Sequence, residues 1–472
     1  MRRPWALPVA LAVVAAGCEG AEDTRPSFVL IVADDLGWAD VGFEGSRFHH
    51  TPALDELART GLVFSQAYAA SPVCSPSRAA LVTGLTPARL HFTAVLGTHT
   101  PVDGLEERLE DAGAGDLVEP EVRDRLPAVA TMGTLLRDAG YRTAWIGKWH
   151  CGPGIEDMGF DVRIGATTWG LPRGYFPPYE MPDLPDGPPG EYLTDRLTDE
   201  ALRFLEENRE RPFLLVLAHH APHVPLEAPR ELVAECAGRV DPDDPQHNPL
   251  YAAMIERLDA SVGRVRATLE RLGLAEHTLL VFTSDNGAIT ELRGAKRARK
   301  QGVEEPPPYA ITSNAPLRSG KGRVYEGGVR VPFVAWGGPV AHPGRCDVPI
   351  IGMDLVPTLC ALAGIAPPAT RDGEDLTPLL GGGNALPRTS LYFHFPHQSF
   401  ASAVRHGDEK LVYSWKDGTS ELFDLAADPG EEHDLAPSRP ERAHELEQEL
   451  FRWLDETGAD RPVRRETAPA GR

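Results

Sequence analysis

The chain predicts an α/β protein: a large mixed sheet flanked by helices, with a smaller C-terminal α+β subdomain containing an antiparallel sheet and a helix. Two observations carry this. Between about residues 26 and 365, short continuous apolar runs alternate with helical patterns, as expected of strands covered on both faces. After about residue 366 the pattern changes to a strand–turn–strand signal followed by one amphipathic helix.

Phe28 to Val32 is the first buried-type strand, and it ends in Ala33-Asp34-Asp35. Tyr141 to Ile146 is another and leads into Gly147-Lys148-Trp149-His150. Phe213 to Ala218 stops at His219-His220, and Leu279 to Thr283 stops at Ser284-Asp285-Asn286-Gly287. Ligands of open α/β sheets bind beyond the carboxyl ends of the strands, so a site is expected at these polar ends. Leu250, Met254, Leu258, Val262, Val265, Leu269 and Leu272 recur at helical spacing up to Gly273 and form a core stripe that implies no cofactor. Pro76 and the run Ser77 to Val82 predict a helix starting just after Cys74, with proline in its first turn. Residues 100 to 126 read as an acidic surface insertion, and residues 168 to 191, rich in Pro and Gly, as a long loop shaping a substrate mouth. Lys416-Asp417-Gly418-Thr419 is a hairpin signal between two strands, and Pro440 opens a helix carrying Ala443, Leu446, Leu450, Phe451 and Leu454. The expected divisions are 1–18 as a signal segment, 24–365 and 366–460 as the two folded parts, and 461–472 as a tail.

With 47 Lys+Arg against 69 Asp+Glu the net charge is −22, which argues against a nucleic-acid partner. An anionic substrate must then be attracted by a local cationic pocket rather than by the overall field. Arg2 and Arg3 precede an apolar stretch from Trp5 to Ala16, the pattern of a secretory signal too short to span a bilayer. Ala15-Ala16-Gly17-Cys18 resembles a lipobox, which would make lipidated Cys18 a membrane anchor. Cleavage near Gly20-Ala21, giving a free product, is the alternative. Both predict export, to the periplasm or outer membrane of a bacterium or into the medium. Cys151, Cys236, Cys346 and Cys360 could pair in an oxidising compartment, but their spacing assigns no bridge.

Asp34-Asp35 and Asp285-Asn286 supply oxygen ligands suited to a hard divalent cation, although either pair alone also reads as a turn or cap. Cys74-Ser75-Pro76-Ser77-Arg78, extended through Leu81-x-Thr83-Gly84, fits a Cys-x-Pro-x-Arg pattern. Gly147-Lys148-Trp149-His150, Pro222-His223-Val224-Pro225, the stretch from Arg318 through Lys321 and Glu326-Gly327-Gly328 to Pro332, and Leu422 to Glu431 follow in order. By these blocks the chain resembles the formylglycine-dependent sulfatases of the alkaline-phosphatase-like superfamily, in particular bacterial exported members, over essentially its whole mature length.

The resemblance implies that Cys74 is converted by a formylglycine-generating enzyme to Cα-formylglycine. Asp34, Asp35, Asp285 and Asn286 would hold calcium together with that residue. Arg78, Lys148 and Lys321 would neutralise sulfate oxygens, His223 (with Lys321) would protonate the leaving oxygen, and His150 would take a proton as the sulfated enzyme collapses. One of His219 and His220 is expected to support the site and the other to be packed. His394 and His397 are expected near the pocket mouth. The five basic residues from Arg293 to Lys300 read as a solvated loop or a steering patch for polyanionic sugars. The segment from Arg89 to Thr93 and the C-terminal hairpins are reminiscent of bacterial carbohydrate sulfatases, so the implied substrate is a sulfated carbohydrate, with aryl sulfates as artificial substrates. Phosphonate monoester or phosphodiester hydrolysis, and non-catalytic binding of sulfated glycans by a lipoprotein, are the alternatives.

Overall fold

The computed structural model describes residues 24–97, 117–241, 243–290 and 311–464. The signal segment with Cys18, most of the acidic insertion, the Arg293–Lys300 stretch and most of the tail lie outside the described residues. The large sheet contains β1 (Ser27–Ala33), β2 (Leu62–Phe64), β3 (Arg142–Gly147), β4 (Val162–Ile164), β5 (Phe213–Ala218), β6 (Thr278–Ser284), β7 (Phe333–Trp336) and β8 (Gly344–Cys346). Their order is β8-β2-β7-β6-β1-β5-β3-β4. The sheet is parallel except at β7, which runs against both neighbours.

β1 is buried along its whole length because both faces are covered. Val29 and Ile31 enter one apolar core with α1 (Pro52–Thr60) and two longer helices. Phe28, Leu30 and Val32 enter the opposite core with α2 (Cys74–Thr83), α3 (Met132–Asp138) and a later helix. The longer helices on the first face are α4 (Leu193–Asn208) and α6 (Pro249–Arg271), with α5 (Arg230–Ala237) between them in sequence. The later helix on the second face is α7 (Leu355–Leu362). The Asn248 side chain caps α6 by accepting from the N–H groups of Leu250 and Tyr251, and Pro249 occupies its first turn.

The C-terminal part holds an antiparallel sheet of β9 (Ser390–Phe395), β10 (Ala401–His406), β11 (Glu409–Ser414) and β12 (Thr419–Asp424), in that order. The turn signal closes the β11–β12 hairpin at Ser414 opposite Thr419. Alternation along the strands divides the two faces. Phe393, Ala403, Val412 and Phe423 pack towards the large sheet's side, whereas Val404, Leu411 and Leu422 meet α8 (Pro440–Thr457) through Leu446, Leu450 and Leu454. Among the described residues the cysteines form no disulfide.

A buried ionic cluster joins the two parts. Lys410 Nζ on β11 lies 2.9 Å from both Glu326 Oε1 and Glu431 Oε1. Glu326 also accepts from the Tyr68 hydroxyl at 2.7 Å, and its own N–H donates to Glu431 at 2.7 Å. Burial opposes ionisation of Glu326, but Lys410, Arg330 and Arg405 outweigh it and hold that carboxyl low. Burial pushes the Glu431 carboxyl up to about 7. A raised folded-state pKa contributes stability that is full below the ordinary glutamate value of 4.5 and is lost as pH rises through 7. Glu431→Gln should therefore flatten the fall in unfolding free energy between those two pH values, measured by chemical denaturation. Lys410→Met, which strands two buried carboxylates, should lower stability by about 3–5 kcal/mol.

Candidate active site

Four adjacent strands of the large sheet, β6, β1, β5 and β3, deliver their polar ends to one place. Asp34 and Asp35 follow β1, Lys148 and His150 follow β3, His219 to His223 follow β5, and Asp285-Asn286 follow β6. Cys74 is the first residue of α2, one position inside the expected start, with Val73 as the preceding cap position. Lys321 arrives on a loop whose backbone is tied down at both sides: its own N–H donates to the Ala288 carbonyl at 3.0 Å, and that of Gly322 to Pro72 at 2.8 Å. A side chain at Gly328 would put its Cβ 1.9 Å from the Arg323 carbonyl oxygen, so the Glu-Gly-Gly stretch is required by backbone packing.

The Cys74 sulfur lies 3.6 Å from Asp34 Oδ1 and 3.8 Å from Asp35 Oδ1. Lys321 Nζ contacts Asp35 at 2.6 Å, Cys74 Sγ at 3.2 Å and His223 Nε2 at 3.1 Å. Lys148 Nζ donates to Asp34 Oδ2 at 2.6 Å. Arg78 Nε donates to Asp285 Oδ2 at 2.7 Å, and its Nη1 donates to the Lys148 carbonyl at 2.9 Å. Asn286 Nδ2 donates to Asp35 Oδ1 at 2.7 Å, leaving its buried Oδ1 without a hydrogen-bond partner. Ligand atoms of Asp34, Asp35, Cys74 and His223 all lie within 4.8 Å of one another.

Burial pushes the Asp34 carboxyl well above the usual range; Lys148 opposes this and Asp285 adds to it. For Asp35 burial acts in the same direction, but Lys321, His223 and Lys148 outweigh it and hold that carboxyl low. Arg78 and Lys321 are also buried, yet their carboxylate partners hold both firmly in the charged form. Burial, reinforced by Lys148, drives the His150 imidazole well below its ordinary value, so it is neutral near pH 7. His150 Nε2 faces the Leu96 carbonyl at 3.3 Å and therefore carries the proton, leaving a lone pair on the unpartnered, buried Nδ1. His223 has the opposite tautomer: Nδ1 faces its neighbour's carbonyl, Val224 O, at 2.7 Å, and Nε2 accepts from Lys321.

These groups form the floor of a cavity of about 760 Å³ lined by Cys74, His150, His223 and Lys321. Its walls include Val95, Leu96, Leu171, Val224, Ile289, Thr290, Arg323 and Gln398. The long Pro/Gly-rich loop does contribute to this mouth, through Gly170 and Leu171. Arg78 and Lys148 do not line the cavity: each is wholly buried against a carboxylate, with Arg78 Nη2 left without a hydrogen-bond partner. One expectation, for two histidines, needs correction. His394 and His397 also stay out of it: His394 is held between Ser402 Oγ at 2.7 Å and the Asp460 carbonyl at 2.8 Å, and His397 contacts Thr93 at 3.0 Å. Gln398, one residue further on, takes the place at the mouth. His219 bonds Ser261 at 2.9 Å, and burial pulls its pKa to about 3, so it is a packed neutral group. His220 is buried with both ring nitrogens unpartnered, and its carbonyl lies 2.7 Å from the Tyr175 hydroxyl. Leu96, Thr290 and Gln398 escaped sequence reasoning because each stands on a different loop with no local pattern to mark it.

The fold and the cation-and-carboxylate floor define a hydrolase of the alkaline-phosphatase-like class. The sulfatase family model matches residues 26–365, and the model for the C-terminal region of N-sulphoglucosamine sulphohydrolase matches residues 320–459. The chain belongs to the sulfatase family and is a sulfuric ester hydrolase. It is 33% identical to the steryl-sulfatase of Mus musculus over 90% of this chain and 81% of that protein. It is also 33% identical to the N-acetylgalactosamine-6-sulfatase of Canis lupus familiaris, over 82% and 72% respectively. The crystal structure of Ps i-CgsB superposes with a TM-score of 0.74 at 30% identity, covering 91% of this chain and 93% of that one. That protein has also been solved in complex with k-i-k-neocarrahexaose.

A Cβ added at Gly170 would lie 3.0 Å from the His150 ring, so Gly170→Val should displace the imidazole. The expected result is a kcat/KM at least about 10-fold lower on any sulfate ester, with thermal stability nearly unchanged by calorimetry.

Proposed function

We propose that this protein hydrolyses sulfate monoesters using Cα-formylglycine formed from Cys74 and one calcium ion held by Asp34, Asp35, Asp285, Asn286 and the residue-74 side chain. The observation that carries this reading is the placement of the Cys74 side chain. It lies between the two carboxylates and the Lys321 ammonium at the floor of the cavity. The oxygen donor set suits a hard cation, and the orphaned Asn286 Oδ1 has no protein partner to satisfy it. When bound, the ion supplies charge neutralisation at the sulfate oxygens, and the hydrated aldehyde supplies a nucleophilic oxygen with a second hydroxyl on the same carbon.

The chain's own groups do the rest. Arg78 and Lys148 hold Asp285 and Asp34 in place, and in this reading they neutralise sulfate charge together with Lys321. Lys321 is the cation that reaches both the carboxylates and the cavity. Lys321 donates to His223 Nε2, so in this reading the pair would supply the proton taken up by the leaving oxygen, with His223 Nε2 as the atom through which it passes. His150 Nδ1 offers a lone pair for the proton released as sulfate is expelled.

The substrate in this reading is a sulfated saccharide, with aryl sulfates as artificial substitutes. The wall supports it: Leu171, half-exposed at 50%, with Val224 and Ile289, presents an apolar face, while Thr290 and Gln398 offer a hydroxyl and an amide. Maturation by a formylglycine-generating enzyme and export through the N-terminal segment, with Cys18 as a lipid anchor, complete the proposal.

Mass spectrometry of the residue-74 peptide from active enzyme should find a carbonyl in place of the thiol; full activity with an intact thiol would sink the reading. Cys74→Ala should lower kcat by about 10³-fold or more without altering the melting temperature. Leu171→Asp should reduce kcat/KM on ring-bearing sulfate esters about 10-fold, chiefly through KM, leaving inhibition by inorganic sulfate unchanged.

A further inference from the structure

Asp35 adopts φ 63, a left-handed backbone conformation that is uncommon outside glycine, although aspartate tolerates it better than most residues. Its side chain is tied by Lys321 and Asn286, and its N–H donates to Asp285 Oδ1 at 3.2 Å. Its carbonyl oxygen is held by a group outside this set, the hydroxyl of Tyr251 on α6, at 3.1 Å. That hydroxyl also lies 2.9 Å from Asp40 Oδ2; having one proton, it donates to the Asp35 carbonyl when the Asp40 carboxyl is protonated and donates in turn to the phenol oxygen. Asp40 is itself wholly buried and gripped by the Gly37 N–H at 2.8 Å, the Thr312 hydroxyl at 2.6 Å and the Gln246 amide at 3.1 Å. The Tyr251 ring is fixed from one side by the edge of His49, 5.7 Å away between centroids. Tyr251 thus connects a rigid buried network to the peptide of one carboxylate at the centre of the site.

We propose that Tyr251, backed by Asp40, is a positioning residue that sets the orientation of Asp35 for the divalent cation, an inference that rests on the cation reading above. The hydroxyl touches neither ion nor substrate. Without it the Asp35–Leu36 peptide keeps only the Leu36 N–H bond to Ser284 Oγ at 3.0 Å, and the backbone that aims the carboxylate is held less firmly in the left-handed region. Groups that orient metal ligands from behind typically change affinity by about 10–100-fold when removed.

The test uses full-length, matured enzyme stripped with a chelator and titrated with calcium chloride by calorimetry. Tyr251→Phe, which keeps the ring, should bind calcium about 10–100-fold more weakly. Its stripped form should melt close to the stripped wild type, and kcat should recover towards wild type as calcium is raised. A purely structural role would lower the melting temperature without recovery by calcium, and would overturn the proposal, as would unchanged calcium affinity. Asp40→Leu, which removes the polar partner behind the hydroxyl, should shift affinity in the same direction and serves if Tyr251→Phe does not fold; wild-type affinity there also overturns it. If the wild type itself takes up no calcium, the cation reading fails and this inference with it.

Discussion

The site depends on holding three carboxylates together away from water. Asp34, Asp35 and Asp285 are buried, and the repulsion between such charges grows as the local dielectric falls. Lys148, Lys321 and Arg78 each answer a specific oxygen, at 2.6, 2.6 and 2.7 Å. Removing one member would leave a buried charge uncompensated, at a cost of about 3–5 kcal/mol. The sheet makes the cluster possible by segregation along each strand: β1, β5 and β6 have apolar bodies and place their polar residues only at the ends, which the parallel order brings side by side.

The C-terminal sheet takes part in this arrangement through the segment from Arg318 to Arg330. The Arg318 guanidinium stacks 3.9 Å above the Tyr325 ring and donates to the Glu431 carbonyl at 3.0 Å. Glu326 is locked by Lys410 from β11. Lys321 lies between these anchors, so the smaller sheet fixes from behind the loop that carries this cavity-lining cation.

How legible each part was follows from whether its cause is local. Phe28 to Val32 and Leu279 to Thr283 announce themselves, because a strand buried on both faces must be apolar throughout. The α6 stripe is equally local. The short strands β2, β4, β7 and β8 are three or four residues long, too brief for periodicity to separate from a loop. The family resemblance put Asp34, Asp35, Cys74, His150, His223, Lys321, Asp285 and Asn286 together, and they lie close to one another around the cavity floor. It could not show that Arg78 and Lys148 are wholly buried, because residue type indicates a cation while burial decides what that cation meets. His394 and His397 carried the chemistry of ligands, but packing assigned them to Ser402, Asp460 and Thr93. Tyr251 was hidden for the converse reason: it sits in a helix whose apolar stripe explains its burial without its hydroxyl.

The charge count at the floor has a consequence for the order of events. Three carboxylates are matched by three cationic side chains, so the protein's own groups offer an anion no net attraction there. The chain as a whole, at −22, repels it. In the proposed reading a divalent ion would add two positive charges to that floor, more than the single charge of a sulfate monoester. Arg78 and Lys148, by pairing with Asp285 and Asp34, would keep the ion's charge from being absorbed entirely by its own ligands. A site with the same carboxylates but without those two cations would bind the ion more strongly and the sulfate ester less.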